Sequence, residues 1–175
     1  MKGVLVVDMI NEFVTGKFGS RRAQSIVPNV RKLCERAVQA HAPIFFVCDA
    51  HHPDDPELRV WGAHAMVGTS ASQIVPELRE FGDGNVFRKR QYSGFFNTGL
   101  DDSLRQAGVD ELIFAGISAD ICVQHNVADA FYRGYRCTVV RDCVESIRAE
   151  DRESALKYMR KIYGASVVSL SRVKF

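Results

Sequence analysis

Six short apolar segments recur along the chain and are separated by longer stretches of mixed polarity. Within these segments apolar residues fill consecutive positions, which is typical of strands that are buried on both faces of a parallel sheet. The pattern predicts strands at Gly3–Asp8, Pro43–Asp49, Val86–Lys89, Glu111–Gly116, Arg136–Val140 and Ala165–Ser169. The third segment gives the weakest signal, because it is short and half of its residues are charged.

The stretches between the predicted strands carry apolar residues at helical spacing. In Arg21–Ala40 they recur every three or four residues, the period of an amphipathic helix. Similar spacing predicts a short helix at Gln73–Glu80 and helices at Leu100–Ala107, Cys122–Arg133 and Asp151–Tyr163. Strands that alternate with helices form a parallel sheet covered on both faces. We therefore predict an α/β fold, with residues 1–175 in one domain: a three-layer αβα sandwich around a mostly parallel, six-stranded, Rossmann-like sheet.

Composition narrows the classes of function. The chain has 175 residues, of which 46% are hydrophobic and 25% charged, and its formal net charge is +2. These values are ordinary for a globular domain and give no sign of a nucleic-acid surface. No stretch approaches the roughly 18 apolar residues of a membrane helix, and Asp8 interrupts the first apolar run too early for a signal peptide. Five cysteines without CxxC spacing favour free thiols in a reducing cytoplasm.

Polar residues stand where several predicted strands end. Asp8, Asp49 and Lys89 close the first three strands, and a polar segment with Cys122 follows the fourth. Ligands of parallel sheets bind outside the carboxyl ends of the strands, so these side chains are predicted to converge. Alone, Asp8 could be a general base or the cap of the next segment. Lys89 stands in a run of three cationic residues, which is more often a solvated face.

Cys122 is the candidate nucleophile among the five cysteines. It is predicted to lie in the first turn of a helix, where unpaired N–H groups and the helix dipole stabilise a thiolate. The same amides could hold an oxyanion formed by attack on a carbonyl group. The alternative is a small buried apolar residue, the commoner role of a free cysteine. The other four cysteines fall within or beside predicted strands and helices, where packing is the expected role.

A second group of residues could bind a metal ion. Asp49 and His51 lie two positions apart at a strand end, and the following loop supplies Glu57 and His64. Two histidines with carboxylates suit zinc or another borderline divalent ion, with positions left open for water or substrate. Hydrogen-bonded surface histidines are the alternative interpretation, and the spacing alone does not decide between them.

Three segments together resemble the isochorismatase-like cysteine hydrolases, and within them the nicotinamidase/pyrazinamidase group. They are VLVVDMINEF at Val4–Phe13, RKRQYSGF at Arg88–Phe95 and GISADICV at Gly116–Val123. The metal loop DAHHPDDPELRVWGAHAMVGT is also similar to that of nicotinamidases, and the resemblance runs through nearly the whole chain.

The resemblance implies a role for each matching residue. It makes Asp8 the base, Lys89 the catalytic lysine and Cys122 the nucleophile, with Ser118 and Cys122 as oxyanion-hole donors. It implies a cis peptide between Ile117 and Ser118, and substrate contacts from Phe13 and Trp61. It places metal ligands at Asp49, His51 and His64, and at Glu57, which stands where some relatives use a glutamate.

The activity implied is hydrolysis of a small carboxamide, nicotinamide or pyrazinamide, to the acid and ammonia through a thioester. The implied cofactor is a divalent metal, zinc first, with iron or manganese as alternatives. Relatives of this kind form dimers or tetramers, so a homo-oligomer is expected. An N-carbamoylsarcosine amidase-type hydrolase is the nearest alternative. A non-catalytic member that binds a small ligand and a redox-sensing thiol protein are alternatives of other classes.

Overall fold

Six strands form one sheet in the computed structural model, which describes residues Met1–Phe175. They are β1 Lys2–Val7, β2 Ile44–Asp49, β3 Val86–Lys89, β4 Glu111–Ile117, β5 Arg136–Glu145 and β6 Ser166–Val168. Their order across the sheet is β3-β2-β1-β4-β5-β6, and every neighbouring pair is parallel. The predicted α/β fold with a six-stranded parallel sheet is confirmed.

Helices cover both faces of this sheet. They are α1 Asn11–Val14, α2 Arg21–Gln39, α3 Leu58–Trp61, α4 Leu100–Gln106, α5 Gln124–Tyr132 and α6 Ala149–Tyr163. Side chains of β1 alternate between two hydrophobic cores: Val4 and Val6 pack with α1 and α2, whereas Leu5 and Val7 pack with α4, α5 and α6. Burial on both faces is the reason why β1 is apolar throughout. No helix is long and apolar enough to cross a membrane.

Three parts of the predicted secondary structure were wrong or incomplete. The helix predicted at Gln73–Glu80 is a 3₁₀ helix at Pro76–Phe81. The helix predicted from Cys122 begins instead as a π turn at Ala119–Val123, and α5 follows it. Strand β5 continues five residues beyond its predicted end at Val140. The four-residue helices α1 and α3 were not predicted, because four residues are too few to show a period.

The strand order creates a crevice between the carboxyl ends of β1 and β4. The connection after β1 leads to β2 on one side of the sheet, and the chain crosses to the other side for β4, β5 and β6. Ligands of open parallel sheets bind at such a reversal point. Here β1 and β4 come close together, since a Cβ added to Gly116 would lie 1.8 Å from the carbonyl oxygen of Val7. The residues that follow these two strands face a shared crevice.

Candidate active site

Lys89 lies at the centre of a buried cluster at this crevice. It ends β3, and its side chain is fully buried. Its Nζ lies 2.8 Å from Asp8 Oδ2 and 3.6 Å from Cys122 Sγ, and it donates a hydrogen bond to Asp49 Oδ1. The structure therefore brings together Asp8, Lys89 and Cys122, three residues that are far apart in the sequence.

Asp8 reaches the cluster through an unusual backbone conformation. It is the first residue after β1 and has a φ of 50°, which non-glycine residues seldom adopt. Its backbone N–H donates to the carbonyl of Val47 at 2.8 Å, and its Oδ1 accepts from the Asp49 N–H at 2.7 Å. The side chain is thus fixed from β2, while Oδ2 faces Lys89. One oxygen each of Asp8 and Asp49 lies within 4.8 Å of Cys122 Sγ.

Burial sets the protonation of this cluster. It raises the pKa of Asp8 to about 6, and the charge of Asp49 adds to this effect while Lys89 opposes it. Burial also raises the pKa of the Cys122 thiol well above its usual range, although Lys89 acts in the opposite direction. Burial alone would lower the pKa of Lys89, but the carboxylates of Asp49 and Asp8 raise it well above its ordinary value. Burial thus favours the neutral thiol of Cys122, and a nearby base is needed to remove its proton.

A π turn carries Cys122 and determines which backbone amides are free. The carbonyl of Ser118 accepts hydrogen bonds from Ile121 N–H at 3.1 Å and Val123 N–H at 3.0 Å, and the amide of Cys122 between them is passed over. Single π turns occur often at functional sites. The predicted position in the first turn of an α-helix was wrong, because Cys122 lies in this π turn, where its amide does not bond to the Ser118 carbonyl. The peptide bond between Ile117 and Ser118 is cis.

A metal-ligand cluster lies beside Lys89. Asp49, His51, Glu57 and His64 are all buried, and one ligand atom from each lies within 4.8 Å of the others. His51 Nε2 is 3.5 Å from Asp49 Oδ2 and 3.7 Å from Glu57 Oε2. A tetrahedral zinc with bonds of about 2.1 Å places its ligand atoms about 3.4 Å apart, so this spacing fits the ion.

Hydrogen bonds orient both histidines toward the centre of the cluster. His51 Nδ1 donates to Asp55 Oδ2 at 3.0 Å, and His64 Nδ1 donates to the carbonyl of Gly62 at 2.8 Å. In the neutral ring each Nε2 then carries the lone pair, which is the tautomer that binds a metal. Nε2 of His51 is buried without a hydrogen-bond partner. Burial and the Asp49 charge raise the pKa of Glu57 to about 7, while Lys89 and His51 act in the opposite direction. Donor type, tautomer and the unpartnered nitrogen all fit a divalent metal.

An aromatic pocket joins the metal-ligand cluster to Cys122. Asp49, Glu57 and His64 of the metal-ligand cluster line it, and so do Ser118, Ile121 and Cys122. Phe13 and Trp61 lie on its wall, but Phe18 lies between them: its ring centroid is 5.9 Å from that of Phe13 and 6.0 Å from that of Trp61. Sequence reasoning missed Phe18, and it missed Tyr92, whose hydroxyl accepts a hydrogen bond from Trp61 Nε1 at 3.0 Å.

Glu12 and Lys17 hold the pocket wall in place and were also missed. Buried Glu12 accepts from the N–H of Lys17 at 3.0 Å and from the N–H of Ala65 at 2.7 Å. Lys17 Nζ donates to the carbonyls of Trp61 at 2.8 Å and Ala63 at 3.2 Å. The segment after α1 is thereby tied to the loop that carries His64. The available signal in the sequence was the carboxylate of Glu12 close to an apolar strand end, where Asp8 is the more conspicuous charged residue.

An α/β sandwich with an aspartate, a lysine and a cysteine at its reversal point brings together the side chains that nucleophilic hydrolysis requires. A family profile described as the isochorismatase domain matches residues 2–171. The chain belongs to the isochorismatase family. Relatives in this family include amidohydrolases, and the chain is an enzyme of that kind, a hydrolase of C–N bonds.

Three solved structures illustrate the relationship. N-carbamoylsarcosine amidase from Thermoplasma acidophilum is 38% identical, with a TM-score of 0.92 over 99% of both chains. Pyrazinamidase/nicotinamidase from Streptococcus mutans UA159 is 31% identical, with a TM-score of 0.88 over 96% of this chain and 100% of the other. Pyrazinamidase of Pyrococcus horikoshii, solved in complex with zinc, is 27% identical, with a TM-score of 0.87 over 96% and 98%.

Proposed function

We propose that this enzyme hydrolyses the carboxamide of a small aromatic molecule, nicotinamide first and pyrazinamide with it, to the acid and ammonia. One observation carries the proposal: a single aromatic pocket is lined both by the metal-cluster residues Asp49, Glu57 and His64 and by Cys122. A flat ring with a ring nitrogen and a carboxamide can present the nitrogen to the first group and the carboxamide to the thiol. The walls of Phe13, Phe18 and Trp61 suit the faces of that ring.

The charge of the pocket supports an uncharged amide. Eleven residues line it, and no lysine or arginine is among them, whereas Asp49 and Glu57 are. A substrate with its own carboxylate would lose hydration there, and only the proposed metal, not a lining side chain, could offset that cost. Nicotinamide carries no net charge and avoids this cost. An N-carbamoyl amino acid carries a carboxylate.

The reaction begins with a proton transfer that the raised pKa values make necessary. Asp8 takes the proton of the Cys122 thiol, and the sulfur attacks the amide carbon while the carbonyl electrons move to oxygen. The amides of Ser118 and Cys122 donate hydrogen bonds to that oxyanion. Asp8 then gives the proton to the nitrogen as the C–N bond breaks, and ammonia leaves a thioester.

The second half of the reaction consumes water. Asp8 takes a proton from a water molecule, whose oxygen attacks the thioester carbon, and the C–S bond breaks. The acid is released, and Cys122 regains a proton from Asp8. Lys89 stays positively charged throughout and balances the negative charge that moves between Asp8 and the sulfur. The amides that hold the first oxyanion hold the second.

The proposed cofactor is a divalent metal, zinc in the first instance, with iron or manganese as alternatives. Asp49, His51 and His64 would hold it, with Glu57 as the fourth ligand. Bound there, zinc would supply a Lewis acid for the lone pair of a ring nitrogen. Asp55 would keep His51 in the required tautomer.

Ammonia release from nicotinamide tests the proposal. Wild-type protein should release ammonia, and Cys122→Ala should not. Cys34→Ala is the matched control, because Cys34 is equally buried but packs in the opposite core. Turnover retained in Cys122→Ala would refute the role of this cysteine. No ammonia from the wild-type, metal-loaded protein would refute nicotinamide as substrate.

The second candidate is an N-carbamoylsarcosine amidase-type activity. The 38% identity to the Thermoplasma acidophilum amidase over 99% of both chains favours it. A panel of small amides, assayed with and without a chelator, separates the two candidates. Activity on nicotinamide that a chelator abolishes supports the first, and chelator-resistant activity on a carbamoyl amide supports the second. The cytoplasmic location and the dimer or tetramer stay predictions from the sequence.

A further inference from the structure

Asn126 is a buried polar residue that the proposed mechanism does not use. It lies on α5, one turn after Cys122, and is completely buried. Its Nδ2 donates to the carbonyl of Cys122 at 2.8 Å and to the carbonyl of Tyr92 at 3.2 Å. Its Oδ1 accepts from the N–H of Gly94 at 2.9 Å. A buried amide is costly unless it is satisfied, and this one bonds on both sides.

Only an amide side chain fits these three partners. Two of them are carbonyl oxygens, which need donors, and the third is an N–H, which needs an acceptor. A carboxylate would face two carbonyl oxygens, and an apolar side chain of the same size would leave all three groups unpaired. The side chain is therefore matched to both the nucleophile turn and the loop that contains Tyr92.

Gly94 shows how closely this loop approaches the core. A Cβ at that position would lie 1.9 Å from Val47 Cγ1 and 3.2 Å from Asn126 Oδ1. The segment between β3 and α4 has no regular secondary structure of its own. The bonds from Asn126 are among those that fix its position, together with the ion pairs of Arg90 to Asp54 and Asp55.

Tyr92 connects Asn126 to the wall of the pocket that contains Trp61. Its ring lies 5.1 Å from that of His125 on α5, and its hydroxyl accepts from Trp61 Nε1 at 3.0 Å. Trp61 belongs to α3, between the metal-cluster residues Glu57 and His64. A continuous series of contacts thus runs from Cys122 through Asn126 and Tyr92 to Trp61.

We propose that Asn126 is a positioning residue that sets the distance between the nucleophile turn and the Tyr92–Trp61 wall of the pocket. The proposal rests on the proposed amide hydrolysis at Cys122. Asn126 touches no reacting atom and acts through Tyr92. Its loss should loosen the wall and weaken substrate binding more than it slows the chemical steps.

The variant Asn126→Leu tests this role, because leucine keeps the size and removes all three bonds. We expect KM for nicotinamide to rise about tenfold while kcat changes less than about threefold. A purely structural role would instead lower kcat with the amount of folded enzyme and leave KM unchanged. Asn29→Leu is the matched control: Asn29 donates one bond to the carbonyl of Asp142, away from the pocket. It should leave both constants unchanged.

Fluorescence provides a readout that needs no activity. Trp61 is the single tryptophan of the chain, so its emission reports the pocket wall directly. Acrylamide quenching of Trp61 should increase in Asn126→Leu and not in Asn29→Leu. Tyr92→Phe removes only the hydroxyl that Trp61 binds and should increase acrylamide quenching too. If Asn126→Leu does not fold, Tyr92→Phe is the variant used for this measurement.

Two results would overturn the proposal. One is an unchanged KM with unchanged quenching in Asn126→Leu. The other is equal effects in Asn126→Leu and Asn29→Leu. Wild-type protein that does not turn over nicotinamide overturns the proposed function only, because the quenching experiment still decides whether Asn126 holds the wall.

Discussion

Replacing Lys89 with methionine removes the ammonium group that neutralises two buried carboxylates. Methionine is also long and unbranched, so most of the packing is retained. The Nζ of Lys89 lies 2.8 Å from Asp8 Oδ2 and bonds to Asp49 Oδ1, and all three side chains are almost completely buried. Removing one partner of a buried ion pair costs about 3–5 kcal/mol, because the remaining charge is left uncompensated. For a chain of this size, that loss lowers Tm by roughly 6–20 °C.

Lys2→Met is the matched control for this measurement. Lys2 Nζ lies 3.9 Å from Glu111 Oε1 at a partly exposed site, and such pairs contribute about 0–1 kcal/mol. Urea unfolding of both variants gives the two free energies of unfolding. Protonated carboxylates need no cation, so the Lys89→Met deficit should shrink as the pH falls from about 8 to about 5. Equal losses in the two variants, or a deficit that does not change with pH, would refute the electrostatic explanation.

Three further predictions concern the site and its support. Asp8 accepts the thiol proton only when it is ionised, and burial raises its pKa to about 6. We therefore expect kcat/KM to fall about tenfold for each pH unit below this value. A flat pH profile down to about pH 4 would contradict the assignment of Asp8 as the base. Asp55→Asn should weaken metal affinity about 10–100-fold in a chelator competition, because Asp55 fixes the tautomer of the ligand histidine His51. The control Asp54→Asn changes an exposed carboxylate and should leave metal affinity unchanged. Equal metal affinities in the two variants would contradict the role of Asp55. Gly116→Ala should destabilise the chain by at least about 3 kcal/mol in thermal unfolding, because the new Cβ would meet a β1 carbonyl oxygen at 1.8 Å. The control Gly108→Ala should cost much less, because nothing lies within 4 Å of the new Cβ there.

The sheet could be predicted from the sequence because burial on both faces leaves a direct mark. Every residue of β2 is buried, and every position before its last is apolar. The end of β5 could not be predicted in this way. Arg141 and Asp142 interrupt the apolar run, yet the strand continues and pairs with β4 again beyond an irregularity between Phe114 and Gly116. Tertiary pairing there overrides the local pattern.

The candidate site likewise contains some residues that could be predicted from the sequence and others that could not. Asp8, Asp49 and Lys89 could be proposed because a charged residue at the end of an apolar strand is conspicuous in the sequence. Phe18 could not be predicted, because it stands in an irregular segment between Gly16 and Gly19 and meets Phe13 and Trp61 only in the folded chain. The three bonds of Asn126 likewise exist only after the loop and α5 have packed together.

The π turn at Cys122 contains one residue more than a regular α-helical turn. Removing a residue between Ser118 and Cys122 would let the turn close with regular α-helical hydrogen bonds. The thiol would then take the angular position that Ile121 holds now, about 100° away around the helix axis. The strands and the core that α2 covers contain none of these residues. Loss of a single codon could therefore turn this enzyme into an inert protein with the same architecture and a more regular helix.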